Sequence, residues 1–216
     1  MSSHSRRAFL TSGLAAVAAT AGCLGGPSSD AGGSAVPTAE GQPLPAPVAG
    51  DPDADVTVAV FEDYACPHCA TYSLQVYPEV AADFLADGLV RYEFHDLPIP
   101  VDATASWQAA NAARSVQAQA GDEAYFTYSK RLFENQDGLG PDAYADLTDG
   151  LDAEGDEVRR AATGRIYDPT IEADRQAAMD RGIQATPTVL VDGESVEWSE
   201  VAYPPVRDAI EAARDG

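Results

Sequence analysis

Val56-Thr57-Val58-Ala59-Val60-Phe61-Glu62-Asp63-Tyr64-Ala65-Cys66-Pro67-His68-Cys69 decides the fold. It opens as a short apolar run rich in β-branched side chains, the pattern of a strand buried on both faces. Two cysteines with Pro67 and His68 between them follow, and from Cys69 to Leu85 the pattern turns helical. This spacing suits a disulfide that opens and closes, because it sets Cys66 at the first turn of a helix. There the unpaired backbone N–H groups and the positive end of the helix dipole favour a thiolate. His68, charged or through its ring N–H, would add to that stabilisation. A lowered thiol pKa makes Cys66 both the attacking sulfur and a good leaving group, and raises the oxidising power of the pair. Cys69, one turn deeper, would be the resolving thiol. An inert disulfide and half of a zinc site share this spacing. Zinc needs two further ligands: His95 could be one, but the remaining cysteine, Cys23, belongs to the amino-terminal address, and no fourth candidate is evident.

Working outward, Pro78 falls inside the helical stretch, where it must kink or interrupt it. Gly88 closes that helix, and Leu89-Val90-Arg91-Tyr92-Glu93-Phe94 alternates like a second strand, ending at His95 and Asp96. Strand, helix and strand in this order predict a parallel βαβ unit. A helical block follows. Asp102 is its cap, Ala109, Ala112, Ala113 and Val116 share one face, and Tyr125, Tyr128, Ser129 and Leu132 mark the next helix. Short helices are expected from Gly140-Pro141-Asp142, from Glu157 to Ala162, and from Asp168-Pro169, read as a cap with proline at the first helical position, to a stop at Gly182. Thr188-Val189-Leu190-Val191, a turn at Asp192-Gly193 and Ser195-Val196-Glu197-Trp198 read as a hairpin. Tyr203 to Ala213 closes the chain as a helix. Trp107, Trp198 and the two tyrosines at 125 and 128 are expected in the core or along a groove wall. His95 reads as a strand-end histidine without catalytic duty.

Thr186-Pro187-Thr188 lies directly before an apolar strand. Proline at the start of a strand can be plain punctuation. Beside two cysteines on a βαβ unit, Pro187 resembles the cis-proline of the thioredoxin fold, whose role would be to leave the Thr186 backbone free to pair with a substrate peptide.

The segment F-E-D-Y-A-C-P-H-C at 61–69 resembles the active-site segment of DsbA-like thiol–disulfide oxidoreductases. So do Ala109 to Val116, Arg131-Leu132-Phe133, and G-I-Q-A-T-P-T-V-L-V-D-G at 182–193. The resemblance spans about residues 54–213. It implies an α/β thioredoxin-like fold, βαβ followed by ββα, with a helical subdomain inserted over about residues 98–182. It further implies Cys66 as nucleophile, Cys69 as resolving cysteine, Pro187 as the cis-proline and Pro67-His68 as the tuning dipeptide. No cofactor is implied. The expected partners are cysteine-containing exported proteins and a membrane thiol oxidoreductase as electron partner. The chain departs from the family in one respect. Members often carry a buried acid six residues before the first cysteine, where this chain has Val60. Glu62 points to the same strand face, one pleat nearer the cysteines, as a substitute or as a solvated acid at the strand end. Threonine before the cis-proline is commoner in reducing or isomerising relatives, so Thr186 argues against the oxidation that Cys-Pro-His-Cys favours. The direction of reaction stays open. A reductase or isomerase supplying thiols for haem or copper-site assembly is the alternative enzyme, and a metal carrier using Cys66, Cys69 and His95 the alternative outside enzymes.

The amino-terminal end reads as an address. Ser5-Arg6-Arg7-Ala8-Phe9-Leu10 resembles a twin-arginine export signal, and the apolar stretch after it is too short to span a membrane. Thr20-Ala21-Gly22-Cys23 resembles a lipobox, with Thr20 where leucine is usual, and makes Cys23 the candidate lipid attachment site. Residues 1–22 are thus expected to be a signal peptide and residues 23–50, rich in glycine, proline, serine and alanine, a flexible tether. A single domain would follow over 51–216, held outside the cytoplasm at the outer face of the membrane.

Charge speaks to solvent rather than to chemistry. Thirteen basic residues against 35 acidic ones give a net charge of −22, which makes nucleic acid a poor partner. Lys130 is the only lysine. An acidic surface spread along the whole chain fits a protein of a salt-adapted organism, and the signal resembles those of salt-adapted archaea. At molar salt the screening length is about 3 Å, which suppresses the self-repulsion. Thermal unfolding is therefore expected at lower temperature as salt falls from molar to millimolar, and a midpoint indifferent to salt would refute this.

Overall fold

The computed structural model describes residues 43–216. The twin-arginine motif and Cys23 lie outside the described residues. Five strands, numbered along the chain from β1 (Val48–Gly50) to β5 (Glu194–Ser195), form one mixed sheet in the order β1-β3-β2-β4-β5. At its centre β2 (Val56–Glu62) runs parallel to β3 (Val90–Asp96), with Val58 opposite Tyr92 and Glu62 opposite Asp96. On the other side β2 pairs antiparallel with β4 (Thr188–Val191), which turns through Asp192 and Gly193 into β5 (Glu194–Ser195). Both turn residues have positive φ, 48° and 86°, as the twist of a two-residue hairpin demands. The parallel pair and the hairpin are as expected, but β5 is shorter. After the buried Val196, Trp198 leaves the ladder to pack beside Tyr72, ring centroids 6.0 Å apart.

The helical run after the cysteines is continuous despite Pro78. It begins as α1 (Pro67–Thr71), widens through a π-helical turn over Tyr72–Val76, tightens as α2 (Tyr77–Val80) and widens again over Ala81–Leu85. Pro78 has no N–H to donate, and the wider turn accommodates its ring without ending the helix. Tyr72, Val76, Val80 and Phe84 face the sheet and meet Val58, Val60, Tyr92 and Phe94 in the main core. The carboxy-terminal helix α7 (Tyr203–Asp215) adds Val206 and Ile210 to it.

The inserted block is built on α3 (Ala103–Glu134), capped as expected by Asp102, whose carboxylate accepts from the N–H groups of Thr104 and Ala105. The helix breaks at Gly121, where φ of 81° favours glycine. Around α3 pack α4 (Pro141–Asp146), α5 (Gly155–Gly164) and α6 (Asp168–Asp180). Asp168 is a helical residue rather than the cap. Its carboxylate accepts from Asn111 Nδ2 at 2.9 Å, tying α6 to α3. Gly182, with φ of 73°, ends α6 as expected.

The expected tether requires a correction at its end, because residues 43–50 belong to the domain. Leu44 is buried, and its N–H donates to Thr170 Oγ1. The Pro45 carbonyl accepts from Arg114 and Gln117, and β1 (Val48–Gly50) pairs antiparallel with β3. Gly50 is required there, since a Cβ would meet the Val90 carbonyl oxygen at 2.4 Å. Composition misleads because these residues carry no periodicity of their own. Partners far along the chain supply the hydrogen bonds that order them.

Candidate active site

The strand β2 delivers its chain to a tight loop from which α1 starts. Cys66 is the residue before the helix, in extended conformation, and Pro67 takes the first helical position, where a missing N–H costs nothing. Asp63 builds the loop. Its Oδ1 accepts from the Ala65 N–H at 2.8 Å, and its Oδ2 accepts from the Ile99 N–H at 2.7 Å and from Ser106 Oγ at 2.9 Å. One buried carboxylate thus joins the loop, the segment after β3 and the first turn of α3. Gln136 closes the same loop from the turn that follows α3, donating from Nε2 to the carbonyls of Tyr64 and Cys66 at 2.7 and 3.0 Å. The sequence carries no signal for Gln136, which reaches the loop only because α3 folds back over the sheet.

The two sulfurs experience opposite environments. Both residues are buried, Cys66 to 5% exposure beside the groove residue Thr186 and Cys69 completely. The Cys69 thiol, as donor, draws the Cys66 pKa down to about 5 against the opposition of burial. The Thr186 side chain and the backbone N–H groups of Cys69 and His68 assist. The helix N-terminus therefore acts through particular N–H groups as well as through its dipole. His68 reaches Cys66 through its backbone; its ring stands exposed at the groove. Burial, the Cys66 sulfur and the Glu62 carboxyl all push the Cys69 thiol well above its ordinary range, and only the Asp63 N–H, 3.4 Å from its sulfur, opposes them.

Thr186-Pro187 is a cis peptide, as expected, and faces the cysteines. The Thr186 carbonyl oxygen lies 3.6 Å from Cys66 Sγ, a contact that only a protonated thiol can use as donor. The Thr186 hydroxyl oxygen is buried and has no partner, which leaves it free to donate to the thiolate. Thr186→Val should therefore raise the Cys66 pKa and make the pair more reducing by about 30–60 mV, the equivalent of one hydrogen bond to a charged group. Equilibration against a dithiol buffer measures this, and an unchanged potential would refute it.

Glu62 is a buried acid, only 1% exposed. Its Oε2 accepts from Ser73 Oγ at 2.8 Å while Oε1 has no partner. Burial raises its pKa well above the ordinary range; the Ser73 hydroxyl opposes this, and the charges of Cys66 and Asp96 add to it. Its protonated form is therefore favoured near the two cysteines, and the solvated alternative falls.

His95 does not join the cysteines. It stacks on Phe61, ring centroids 4.7 Å apart, and bonds through Nδ1 to Asp174 at 3.0 Å. Strand alternation puts Phe61 and His95 on the face of the sheet opposite Val60 and Glu62, so the sheet separates His95 from the thiols. Burial would lower its pKa, but Asp174 and Glu93 hold it up to about 9. The groove itself, about 470 Å³, is lined by His68, Thr71, Thr186, Pro187, Trp198 and Glu200 among others. Trp198 is thus a groove wall. Trp107 instead stacks under Arg165, 4.1 Å from its ring centroid.

These features have counterparts in known proteins. Over 189 residues, 85% of this chain and 82% of the other, the sequence is 26% identical to disulfide bond formation protein D of Bacillus subtilis. The crystal structure of oxidised BdbD from Bacillus subtilis superposes with a TM-score of 0.73 at 25% identity, covering 79% of this chain and 94% of that one. Chlamydia trachomatis DsbA shares the fold at a TM-score of 0.67 and 18% identity, covering 83% and 97%. The family model described as thioredoxin matches residues 44–212. With its two cysteines at the head of a helix and a helical insertion like that of its structural neighbours, the chain belongs to the thioredoxin family, as a DsbA-like thiol–disulfide oxidoreductase.

Proposed function

We propose that this enzyme is exported and oxidises cysteine pairs in other exported proteins, with Cys66 as the nucleophile, Cys69 as the resolving cysteine and Glu62 as the acid that serves Cys69. The single observation that carries the direction is the Cys66 pKa of about 5. A group that stabilises the thiolate stabilises the reduced protein, and so makes the disulfide a stronger oxidant. In the reaction a substrate thiolate attacks Cys66 Sγ, the Cys66–Cys69 bond breaks, and Cys69 leaves as a thiolate that takes the Glu62 proton. A second substrate thiolate then attacks the substrate sulfur of the mixed disulfide and expels Cys66 as a stable thiolate. Two electrons pass to the enzyme, and a membrane thiol oxidoreductase would remove them. The groove beside Pro187 would hold the substrate as an extended peptide along Thr186.

The site of action rests on sequence. The Ser5-Arg6-Arg7 signal and the Cys23 lipobox support export and a lipid anchor at the outer membrane face, and the acidic surface supports work in concentrated salt. The reductase alternative predicts a different number. An oxidant should have a potential well above thioredoxin's, about −270 mV, and a value at or below that would establish the reductase. In a Cys69→Ser variant, mixed disulfides should accumulate on Cys66. Their failure to appear would reverse the roles of the two cysteines.

A further inference from the structure

Glu62 is buried and does not line the substrate groove, but its hydrogen-bond partner Ser73 lines a second opening. Ser73 is half-buried. Beyond Ser73 a narrow crevice runs between the first helical run and α3, lined by Ser73, Tyr77, Tyr92, Phe126, Ser129 and Lys130 among others. Tyr77 and Phe126 stack 5.9 Å apart as its walls. At the mouth stands Lys130, 60% exposed and paired with Glu134. The interior leaves about 20 Å³, room for about one water, and the hydroxyls of Ser73 and Ser129 supply the polar partners such a water needs. None of the residues lining this crevice lines the substrate groove.

We propose that the proton exchanged by Glu62 enters and leaves through Ser73 and this crevice, not through the substrate groove. The inference rests on the reading that Glu62 serves Cys69. When Cys69 leaves as a thiolate it takes the Glu62 proton, and an uncompensated buried carboxylate remains. A proton from solvent, relayed by the Ser73 hydroxyl, restores the acid. Because the relay is separate from the groove, a substrate peptide covering Cys66 does not cut Glu62 off from water. Ser73 is thus a positioning and relay residue, touching neither sulfur nor substrate.

Infrared spectroscopy of the oxidised protein tests this directly. The C=O stretch of the protonated Glu62 carboxyl is identified by its loss in Glu62→Gln, and its shift after transfer into heavy water reports proton exchange. Ser73→Ala should slow that shift by about a hundredfold or more, the scale of a lost general acid–base contact, and slow disulfide reduction by a dithiol. Ser73→Thr, which keeps the hydroxyl, should restore both rates. Exchange in Ser73→Ala as fast as in the parent, with the band intact, overturns the crevice route and leaves the role of Glu62 standing. If no protonated band disappears in Glu62→Gln, the reading of Glu62 as the acid fails as well. Failure of the redox reading would show separately, as a parent disulfide that does not react with the dithiol.

Discussion

Alkylation of the reduced protein at neutral pH should fall on Cys66 and spare Cys69. With a pKa of about 5, Cys66 is almost wholly thiolate at neutral pH, roughly thirtyfold more than an ordinary thiol with a pKa of about 8.5. The buried Cys69 is protonated and shielded. Reactivity should titrate with its midpoint near pH 5. The same shift fixes how stability depends on pH. The folded-state pKa lies below the unfolded one, so the thiolate stabilises the reduced protein fully above about pH 8.5, and that stability is lost as pH falls through about 5. The oxidised protein has no such contribution, and Glu62 is common to both forms. The stability of the reduced over the oxidised protein should therefore grow from about pH 5 to about pH 8.5. After allowance for solvent at the groove mouth, the gain is about 2–4 kcal/mol. Denaturation of the two redox forms across this range, in molar salt, measures it. Equal pH dependence in both forms, or first reaction at Cys69, would invalidate the assignment of the two sulfurs.

Arg114→Met should destabilise the fold by about 3–5 kcal/mol. Arg114 is fully buried and donates to Asp96 and Asp174 at 2.6 Å each, to Gln117 at 2.9 Å and to the Pro45 carbonyl at 3.1 Å. It joins β3, α3, α6 and the segment before β1, so its loss leaves Asp96 with no bonded cation and Asp174 with His95 alone. Burial already raises the Asp96 pKa, to about 6, with Arg114 in place. Without Arg114 it would rise further. A carboxyl raised in the folded state contributes stability that is lost as pH rises through its folded pKa, so the variant should regain stability as pH is lowered toward 5. Adding Asp96→Asn and Asp174→Asn should recover part of the loss at neutral pH. A single variant as stable as the parent, or equally destabilised at every pH, would show that the cluster does not hold these elements together.

Arg114 also marks how far reading along the chain can go. Its position on α3 follows from helical periodicity, but nothing near it announces a buried ion cluster. Its partners Asp96 and Asp174 lie 18 and 60 residues away. Gln136 is a similar case, 70 residues from the Cys66 carbonyl it satisfies. So is the segment 43–50, whose composition reads as a tether while its hydrogen bonds come from α3, α6 and β3. Glu62 stands between the two kinds. Strand alternation assigned its face, and its burial depends on Ser73 and on the helices closing over it.

What the sequence by itself determined is local: a β-branched run, two cysteines at the head of a helix, a Thr-Pro before the next strand, a hairpin turn. These are legible because strand and helix periods and cap chemistry act within a few residues. They were enough for the βαβ unit and the hairpin, and the family resemblance they carry implied the thioredoxin-like frame. Only the tertiary structure decided that the two thiols shift in opposite directions, that Glu62 is buried near them with its pKa raised, and that His95 belongs to the opposite face. Burial and pairing across scores of residues govern those outcomes, through desolvation and hydrogen bonds that no local pattern encodes.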